Sequence, residues 1–388
     1  MEKQHCGDDA KALLGEENFE QEIGARARVW KHMFAYIETI LLRGAVQLGI
    51  PDHIHKNGGP MTLRDLAAKL PVEAINMSQL HQVMRYMVHM KLFMKAIPPA
   101  KSNTTLDEED EEEEEEEEDC YGLTPVSELL VRSHERSLAP LVEVEEPDMR
   151  DTFAMWAHLI EGLDRERYPK TFWEAHYGMP FYEVIGRNPE WSRRMSEGMT
   201  SITRGTVDAV VHGLVREKVI DDHVMSKLVD VGGNTGDVAK AILRAFPQLK
   251  CTVMDLPHVV EYAPKDPDLR FVAGDMLQFV PSAHIVLLKS VLHNHEDDVC
   301  IKILNNCKEA ILRGGSTKGK VILVEIVLDI DDRPELTNSR FGVDLRMVSM
   351  GGKERSKKEW ADLFFKGGFS RHEIIPIAAL ESIVVLYP

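Results

Sequence analysis

Three side chains in the C-terminal part of the sequence could carry out acid–base chemistry together. His293 follows the apolar run HIVLLK, Glu325 ends the run ILVE, and Glu354 lies in the segment GGKERS. An imidazole can take a proton from a substrate hydroxyl near neutral pH. A lone histidine is more often structural, but a carboxylate bonded to one ring nitrogen fixes the tautomer and makes the other nitrogen more basic. The pattern therefore predicts a general base, His293, flanked by Glu325 and Glu354.

A glycine-rich loop follows the apolar run KLVDV. Glycines occupy positions 232, 233 and 236, after Asp230 and around Asn234. Glycines at the carboxyl end of a strand let the backbone approach a ligand closely. The spacing differs from the G-x-G-x-x-G of dinucleotide-binding enzymes, which argues against an NAD-dependent oxidoreductase. It is closer to D-x-G-x-G-x-G, the loop that holds the amino-acid part of S-adenosylmethionine, with a simple strand-to-helix turn as the alternative.

Polar residues also end the next two apolar runs. Asp255 follows KCTVM, and its carboxylate could accept hydrogen bonds from both ribose hydroxyls of a nucleoside. Asp275 and Met276 follow the third run, where an Asp could accept from an adenine amino group and a Met could lie against the ring. A helix-capping role is the alternative for Asp255. In this order, the three residues predict a nucleoside site.

The surrounding pattern predicts how these residues are positioned. From Leu228 onwards, short apolar runs alternate with helical segments, which is typical of a doubly wound, mostly parallel α/β sheet of the Rossmann-like kind. Before it, residues 27–50 form an apolar helical pattern that we expect Pro51 to end, and two short helices with a hairpin then resemble a winged helix. We expect a mobile N-terminus at 1–26, a helical domain at 27–147 and a catalytic domain at 148–388.

Composition excludes several classes of protein. The chain has 388 residues and a formal net charge of −18, most of it in the uninterrupted acidic run 107–119. We expect this run to be a disordered insertion at the hairpin tip, with a calcium or basic-partner site as the alternative. The acidic charge argues against nucleic-acid and anionic-membrane partners. Five scattered cysteines, a polar N-terminus and the lack of a long uncharged apolar run favour a cytoplasmic protein.

In this order, VDVGGNTG, MDLPHVV, GDM, LKSVLH, EIVL and GGKER resemble the plant S-adenosylmethionine-dependent O-methyltransferases, and the closest resemblance is to the branch acting on benzylisoquinoline alkaloids. The resemblance implies an N-terminal winged-helix-like dimerisation domain, a homodimer, a small phenolic acceptor and no metal. It assigns the base to His293, with Glu325 and Glu354 beside it. It assigns cofactor binding to Gly232, Asp255, Asp275, Met276 and Lys289. It assigns acceptor binding to Met195 and Met199.

The sequence departs from that family at three points. Asn294 and His295 stand where the family commonly has Asp and Trp, Arg346 stands where the norcoclaurine enzyme has Asp, and Asn234 replaces a glycine. These departures motivate a second hypothesis, in which the chain has little activity alone and shapes the pocket of a catalytic partner in a heterodimer. A flavonoid or phenylpropanoid acceptor is a further alternative.

Overall fold

The computed structural model divides the chain into two units, Met1–Val142 and Glu143–Pro388. It describes residues 16–97, 119–144, 149–159, 171–221, 223–316, 318–329 and 333–388. The predicted domain boundary after residue 147 and most of the acidic run fall outside the described residues. Asp119, the last residue of that run, is described and precedes a strand.

The first unit is mostly helical. Its elements are α1 (Glu16–Gln47), α2 (Ile50–Asn57), β1 (Met61–Thr62), α3 (Leu63–Ala67), α4 (Met77–His89), β2 (Phe93–Ala96), β3 (Cys120–Leu123), α5 (Pro125–Glu128) and α6 (Ala139–Val144), which extends into the second unit. The small antiparallel sheet has the order β1-β3-β2, so the predicted hairpin is present. Thr62 caps α3 by accepting a hydrogen bond from the Asp65 N–H, as its position predicts.

Two expectations about the first helix were wrong. Helix α1 begins at Glu16 and not near residue 27, so residues 16–26 are helical. Pro51 does not end this helix. Gly49, in the left-handed conformation at φ 66°, separates α1 from α2, and Pro51 lies in the first turn of α2. Proline is favoured there because its missing N–H would have no helical partner in any case.

Helix α1 leaves a row of large apolar side chains uncovered within its own unit. Trp30 is 58% exposed, and the other members are also exposed: Ile23, Val29, Met33, Phe34, Tyr36 and Ile40. An apolar face of this length on one helix is typical of a surface that another chain covers. No single helix in the described part of the chain is long and apolar enough to span a membrane. Only the pair Glu20–Gln47 and Ile50–Asn57 reaches that length and composition, and it is bent by 50°.

The second unit has a seven-stranded sheet with helices on both faces. Its strands are β4 (Lys227–Val231), β5 (Lys250–Asp255), β6 (Leu269–Ala273), β7 (Ile285–Lys289), β8 (Lys320–Ile326), β9 (Arg371–Pro376) and β10 (Glu381–Tyr387). The order is β6-β5-β4-β7-β8-β10-β9. All neighbours are parallel except β10, which runs antiparallel to both β8 and β9. The predicted Rossmann-like α/β class is confirmed.

The helices of this unit follow the predicted alternation. They are α7 (Met149–Ala157), α8 (Phe172–Tyr177), α9 (Phe181–Arg187), α10 (Pro189–Arg216), α11 (Asp237–Ala245), α12 (Pro257–Tyr262), α13 (Asp297–Gly314), α14 (Pro334–Val348) and α15 (Lys357–Lys366). Alternate residues of β7 pack into two cores, with Val286 and Leu288 on the side of α13 and α15, and Ile285 and Leu287 on the side of α10 and α11. Cys300 and Cys307 on α13 are buried in the first core.

Candidate active site

The predicted site residues gather where parallel strands end. The strand order reverses between β4 and β7, and crevices at such reversals bind ligands in open α/β sheets. The glycine loop follows β4, Asp255 ends β5, and His293 lies in a short 3-10 helix, Leu292–Asn294, after β7. Glu325 lies on β8. The topology therefore places the glycine loop, the Asp255 carboxylate and the candidate base His293 at one edge of one sheet.

His293 and Glu354 form a buried hydrogen-bonded pair. The distance between His293 Nδ1 and Glu354 Oε1 is 2.6 Å, and His293 is 8% exposed. Asp344 on α14 holds the acid in place, since its Oδ1 accepts the Glu354 N–H at 2.8 Å. Because Glu354 accepts from Nδ1, the imidazole presents Nε2 as the nitrogen that can receive a proton.

Glu325 lies near the same imidazole ring and binds the backbone of the turn that precedes His293. Glu325 Oε1 accepts the N–H groups of Val291 at 2.9 Å and Leu292 at 2.8 Å. Glu325 Oε2 lies 3.9 Å from His293 Nδ1, too far for a hydrogen bond but close enough for an electrostatic effect. The two glutamates thus make different contacts: Glu354 binds the His293 ring, and Glu325 binds the backbone immediately before His293.

The electrostatics raise the pKa of His293. Burial lowers this pKa because it disfavours the charged ring, but the charge of Glu325 and the hydrogen bond to Glu354 outweigh that effect. Burial in turn raises the pKa of Glu325. The result is a basic imidazole whose protonated form is stabilised by its neighbours, as a proton acceptor for a weakly acidic hydroxyl requires.

The same three side chains could also hold a metal ion. One ligand atom from each of His293, Glu325 and Glu354 lies within 4.8 Å of the others. A metal ion bound through Nδ1 would have to replace the 2.6 Å hydrogen bond between His293 and Glu354, because Nδ1 cannot bind a proton and a metal together. Sequence reasoning expects no metal here, and chelation tests that expectation.

The glycine loop is built for close approach of a ligand. Gly232 has φ 70°, and a Cβ there would lie 2.9 Å from Val291 Cγ2. A Cβ on Gly233 would lie 2.7 Å from the Asp230 carboxyl group, which is buried beneath the loop. Burial raises the pKa of Asp230 to about 7, and the nearby charge of Asp255 contributes to the rise. The loop therefore needs glycine at both positions, and these features fit a bound S-adenosyl group.

The Asp255 carboxylate binds the backbone of the glycine loop and does not cap helix α12. Its Oδ2 accepts the Asn234 N–H at 2.8 Å and its Oδ1 accepts the Leu256 N–H at 2.7 Å. Leu256, the residue after it, is the N-cap of α12. Each carboxylate oxygen has a second lone pair, so Asp255 can still accept from ribose hydroxyls.

The remaining predicted cofactor residues lie at neighbouring strand ends. Asp275 is exposed after β6, where its Oδ1 accepts the Leu277 N–H at 2.8 Å, and Met276 is half-buried beside it. Lys289 ends β7, and its buried Nζ lies 3.4 Å from Glu381 Oε1. The ammonium group is thus paired with a carboxylate of β10 in this structure.

The two predicted acceptor-lining methionines lie on α10. Met195 and Met199 are both half-buried and one turn apart. Met195 packs against a cluster of buried side chains: Met155, Phe172, Trp173, Phe181, Ile185 and Trp191. The Arg346 guanidinium lies 5.9 Å from the centre of the Trp173 ring and donates to Ser349 Oγ at 2.9 Å. Arg346 therefore forms part of the polar border of this aromatic cluster.

The other departures also have local roles. Asn294 Nδ2 donates to the carbonyls of Ser290 at 3.1 Å and Val291 at 3.3 Å, bonds that an aspartate could not donate. Burial lowers the pKa of His295, and the positive charges of His293 and Arg355 lower it further. Asn294 thus stabilises the turn that carries His293.

Sequence reasoning missed Arg355, which braces the same turn. This fully buried guanidinium donates to the carbonyls of Leu292 at 3.3 Å and His295 at 2.9 Å, on either side of His293. It also bonds to Asp297 Oδ1 at 2.8 Å. Its position directly after Glu354 was the only available signal, because its partners are distant in sequence.

Two family models and several known proteins match this chain. A profile of the O-methyltransferase domain matches residues 156–370, and one of the O-methyltransferase dimerisation domain matches residues 30–133. Columbamine O-methyltransferase from Coptis japonica is 46% identical over 95% of this chain and 97% of its own length. The 8-hydroxyquercetin 8-O-methyltransferase of Mentha piperita is 40% identical, covering 94% and 96%. The (RS)-norcoclaurine 6-O-methyltransferase of Thalictrum flavum subsp. glaucum is 33% identical, covering 97% and 99%.

Solved structures share the fold. Human N-acetylserotonin methyltransferase in complex with SAM matches 93% of this chain and 97% of its own, with a TM-score of 0.75 and 19% identity. The methyltransferase fold and the preceding dimerisation domain, both expected from the sequence, are confirmed. The dimerisation domain supports homodimer formation, for which the exposed face of α1 is suited. The chain belongs to the O-methyltransferase family, whose members use S-adenosylmethionine.

Proposed function

We propose that this enzyme methylates a phenolic hydroxyl of a benzylisoquinoline-derived alkaloid. The observation that carries the chemistry is the buried contact of 2.6 Å between His293 and Glu354 at the carboxyl edge of the sheet. The 46% identity to columbamine O-methyltransferase favours the alkaloid class of acceptor.

The proposed mechanism assigns one role to each residue. A phenol has a pKa near 10 and is a poor nucleophile when neutral. His293 Nε2 takes its proton, and Glu354 stabilises the imidazolium that forms. S-adenosylmethionine, which supplies an electrophilic methyl group on sulfur, would be held by Gly232, Asp255, Asp275, Met276 and Lys289. Met195 and Met199 would hold the acceptor so that its oxygen faces that group.

The acceptor can be identified with the purified chain. Methyl transfer should be measured with panels of benzylisoquinolines, protoberberines, phthalideisoquinolines and flavonoids at equal concentration. We expect the highest kcat/KM with an alkaloid. A preference for flavonoids would instead support the second candidate function, methylation of a flavonoid. The 40% identity to 8-hydroxyquercetin 8-O-methyltransferase favours that candidate.

Arg346 makes a heterodimer the alternative to an active homodimer. The Arg346 guanidinium lies beside the aromatic cluster that packs against Met195, where it would repel a protonated alkaloid amine. An active homodimer would therefore need an acceptor that is neutral or bound with its amine elsewhere. Otherwise, a catalytic partner would be needed. The assay should be repeated with the chain mixed with a related methyltransferase. Equal rates for the pure and mixed proteins would exclude the partner role. We further propose a cytoplasmic location, which imaging of a tagged chain would test.

A further inference from the structure

The glycine loop is attached to helix α10 by side chains as well as to the sheet. Asn234 Oδ1 accepts a hydrogen bond from Ser196 Oγ, and Asn234 Nδ2 donates to the Ser196 carbonyl at 3.2 Å. One turn further along α10, Thr200 Oγ1 lies 3.2 Å from Thr235 Oγ1. Residues four apart share one face of a helix, so two consecutive loop residues contact one face of α10.

The backbone of Asn234 makes a third connection. Its φ of 50° lies in the left-handed region, which Asn adopts more readily than most residues. In that conformation its N–H donates to Asp255 Oδ2 at 2.8 Å. One residue therefore connects the carboxylate at the end of β5, the glycine loop and helix α10.

Helix α10 also carries the two methionines assigned to the acceptor pocket. Met195 and Met199 are the immediate neighbours of Ser196 and Thr200. We propose that Asn234 is a positioning residue that holds the cofactor loop against the acceptor-lining helix, so that the loop is ordered before the cofactor binds. This inference rests on the methyltransferase function but not on the identity of the acceptor.

Replacing Asn234 by Gly tests the proposal directly. Glycine adopts the left-handed conformation without strain, so Asn234→Gly removes the side-chain bonds to Ser196 while keeping the backbone N–H bond to Asp255. Loss of two neutral hydrogen bonds that order the loop should weaken S-adenosylhomocysteine binding roughly 5- to 20-fold in calorimetry. The KM for S-adenosylmethionine should rise in parallel while kcat stays within about twofold, because the base is untouched.

Ser196→Ala separates the contact from glycine flexibility. This variant retains the Ser196 carbonyl, so we expect a smaller loss of affinity, about two- to fivefold. The double variant should bind no more weakly than Asn234→Gly, because both changes remove the same contact. Ser192→Ala, one turn earlier on α10, is the matched control and should bind normally.

Normal S-adenosylhomocysteine affinity in both Asn234→Gly and Ser196→Ala would overturn the proposal, as would fully additive losses in the double variant. A lowered melting temperature without a change in affinity would also overturn it, because the contact would then be only structural. The binding assay contains no acceptor, so failure to find an alkaloid substrate would leave its result intact. A wild-type chain that does not bind S-adenosylhomocysteine would overturn both this inference and the proposed function.

Discussion

Replacing Glu354 by Gln should change how the activity depends on pH. Gln keeps the shape of the side chain and an oxygen for His293 Nδ1, but it removes a charge from a contact of 2.6 Å. Hydrogen bonds to charged groups contribute about 1.5–3 kcal/mol, against about 0.5–1.5 kcal/mol for neutral pairs. The imidazolium should therefore lose about 1–1.5 kcal/mol of stabilisation, which corresponds to a fall of about one unit in the pKa of His293.

The substitution should act on kcat/KM in two opposing ways. The lower pKa of His293 leaves more of the base neutral at acid pH, whereas the less stable imidazolium lowers the maximal rate. The base is active when neutral, so kcat/KM rises as the pH increases through the pKa of His293, which lies above its ordinary value in the wild type. In Glu354→Gln this rise should occur at lower pH. The plateau above it should fall roughly tenfold, because the imidazolium formed in the transition state is less stable. The two profiles should therefore converge at acid pH.

The assay is kcat/KM across the pH range, with S-adenosylhomocysteine binding as the test of folding. Glu309→Gln on α13 is the control, since it removes an exposed carboxylate paired only with Arg313 among the described contacts. A plateau that falls without any shift of the acid limb would refute the reasoning, because Glu354 would then support the fold without tuning the base. An unchanged profile would refute it outright.

Three further outcomes are expected. His293→Ala should reduce kcat by at least about 100-fold and leave S-adenosylhomocysteine binding intact, as calorimetry can show. A chelator should leave activity unchanged if the His293–Glu354 hydrogen bond is the working state, and restoration of lost activity by one divalent metal would contradict this. Deleting 107–118 should leave the melting temperature nearly unchanged, whereas extending the deletion to Asp119 should lower it, because Lys95 and the Leu63 N–H bond to that residue.

The strands and the positions of His293 and Glu325 could be predicted from the sequence because their signals are local. Each buried strand is a short apolar run, and the residue that follows it must lie at the ligand edge of a parallel sheet. That rule placed Asp255, His293 and Glu325 together although they are far apart in the chain. That rule does not cover Glu354, because its loop follows a helix and not a parallel strand. Its place beside His293 was predicted from its residue type and from the family resemblance.

The remaining contacts depend on which side chains meet after folding. Composition assigned Asp119 to a solvated acidic run, but it accepts hydrogen bonds from Lys95 and Tyr121 and lies 2.7 Å from His81 Nε2. The hydrogen bond and charge of Lys95 lower the pKa of Asp119 despite partial burial. Asn234 stood out in the sequence only as a replacement for a glycine, and nothing in its neighbours indicated that its side chain would bond to Ser196 on α10.

Arg355 provides the last test, because it holds the turn of His293 without touching the ring. Its guanidinium bonds to the carbonyls of Leu292 and His295 and to Asp297, and it lies 5.1 Å from the centre of the Trp360 ring. Arg355→Lys keeps the charge but cannot reproduce the planar fork, so buried carbonyls lose their donors. We expect a loss of about 2–3 kcal/mol in the free energy of unfolding.

Activity should fall further than stability alone explains. The carbonyls bonded to Arg355 belong to Leu292 and His295, so a shifted turn moves His293 away from its productive position. Below the melting temperature, kcat should therefore drop at least about tenfold while the cofactor affinity remains near the wild-type value. Arg313→Lys on α13, whose guanidinium is partly exposed and bonds to one backbone carbonyl, is the matched control. A destabilised Arg355→Lys protein with normal kcat would show that the turn keeps its geometry without the guanidinium, and that the bonds of Glu325, Asn294 and Glu354 are sufficient to position the base.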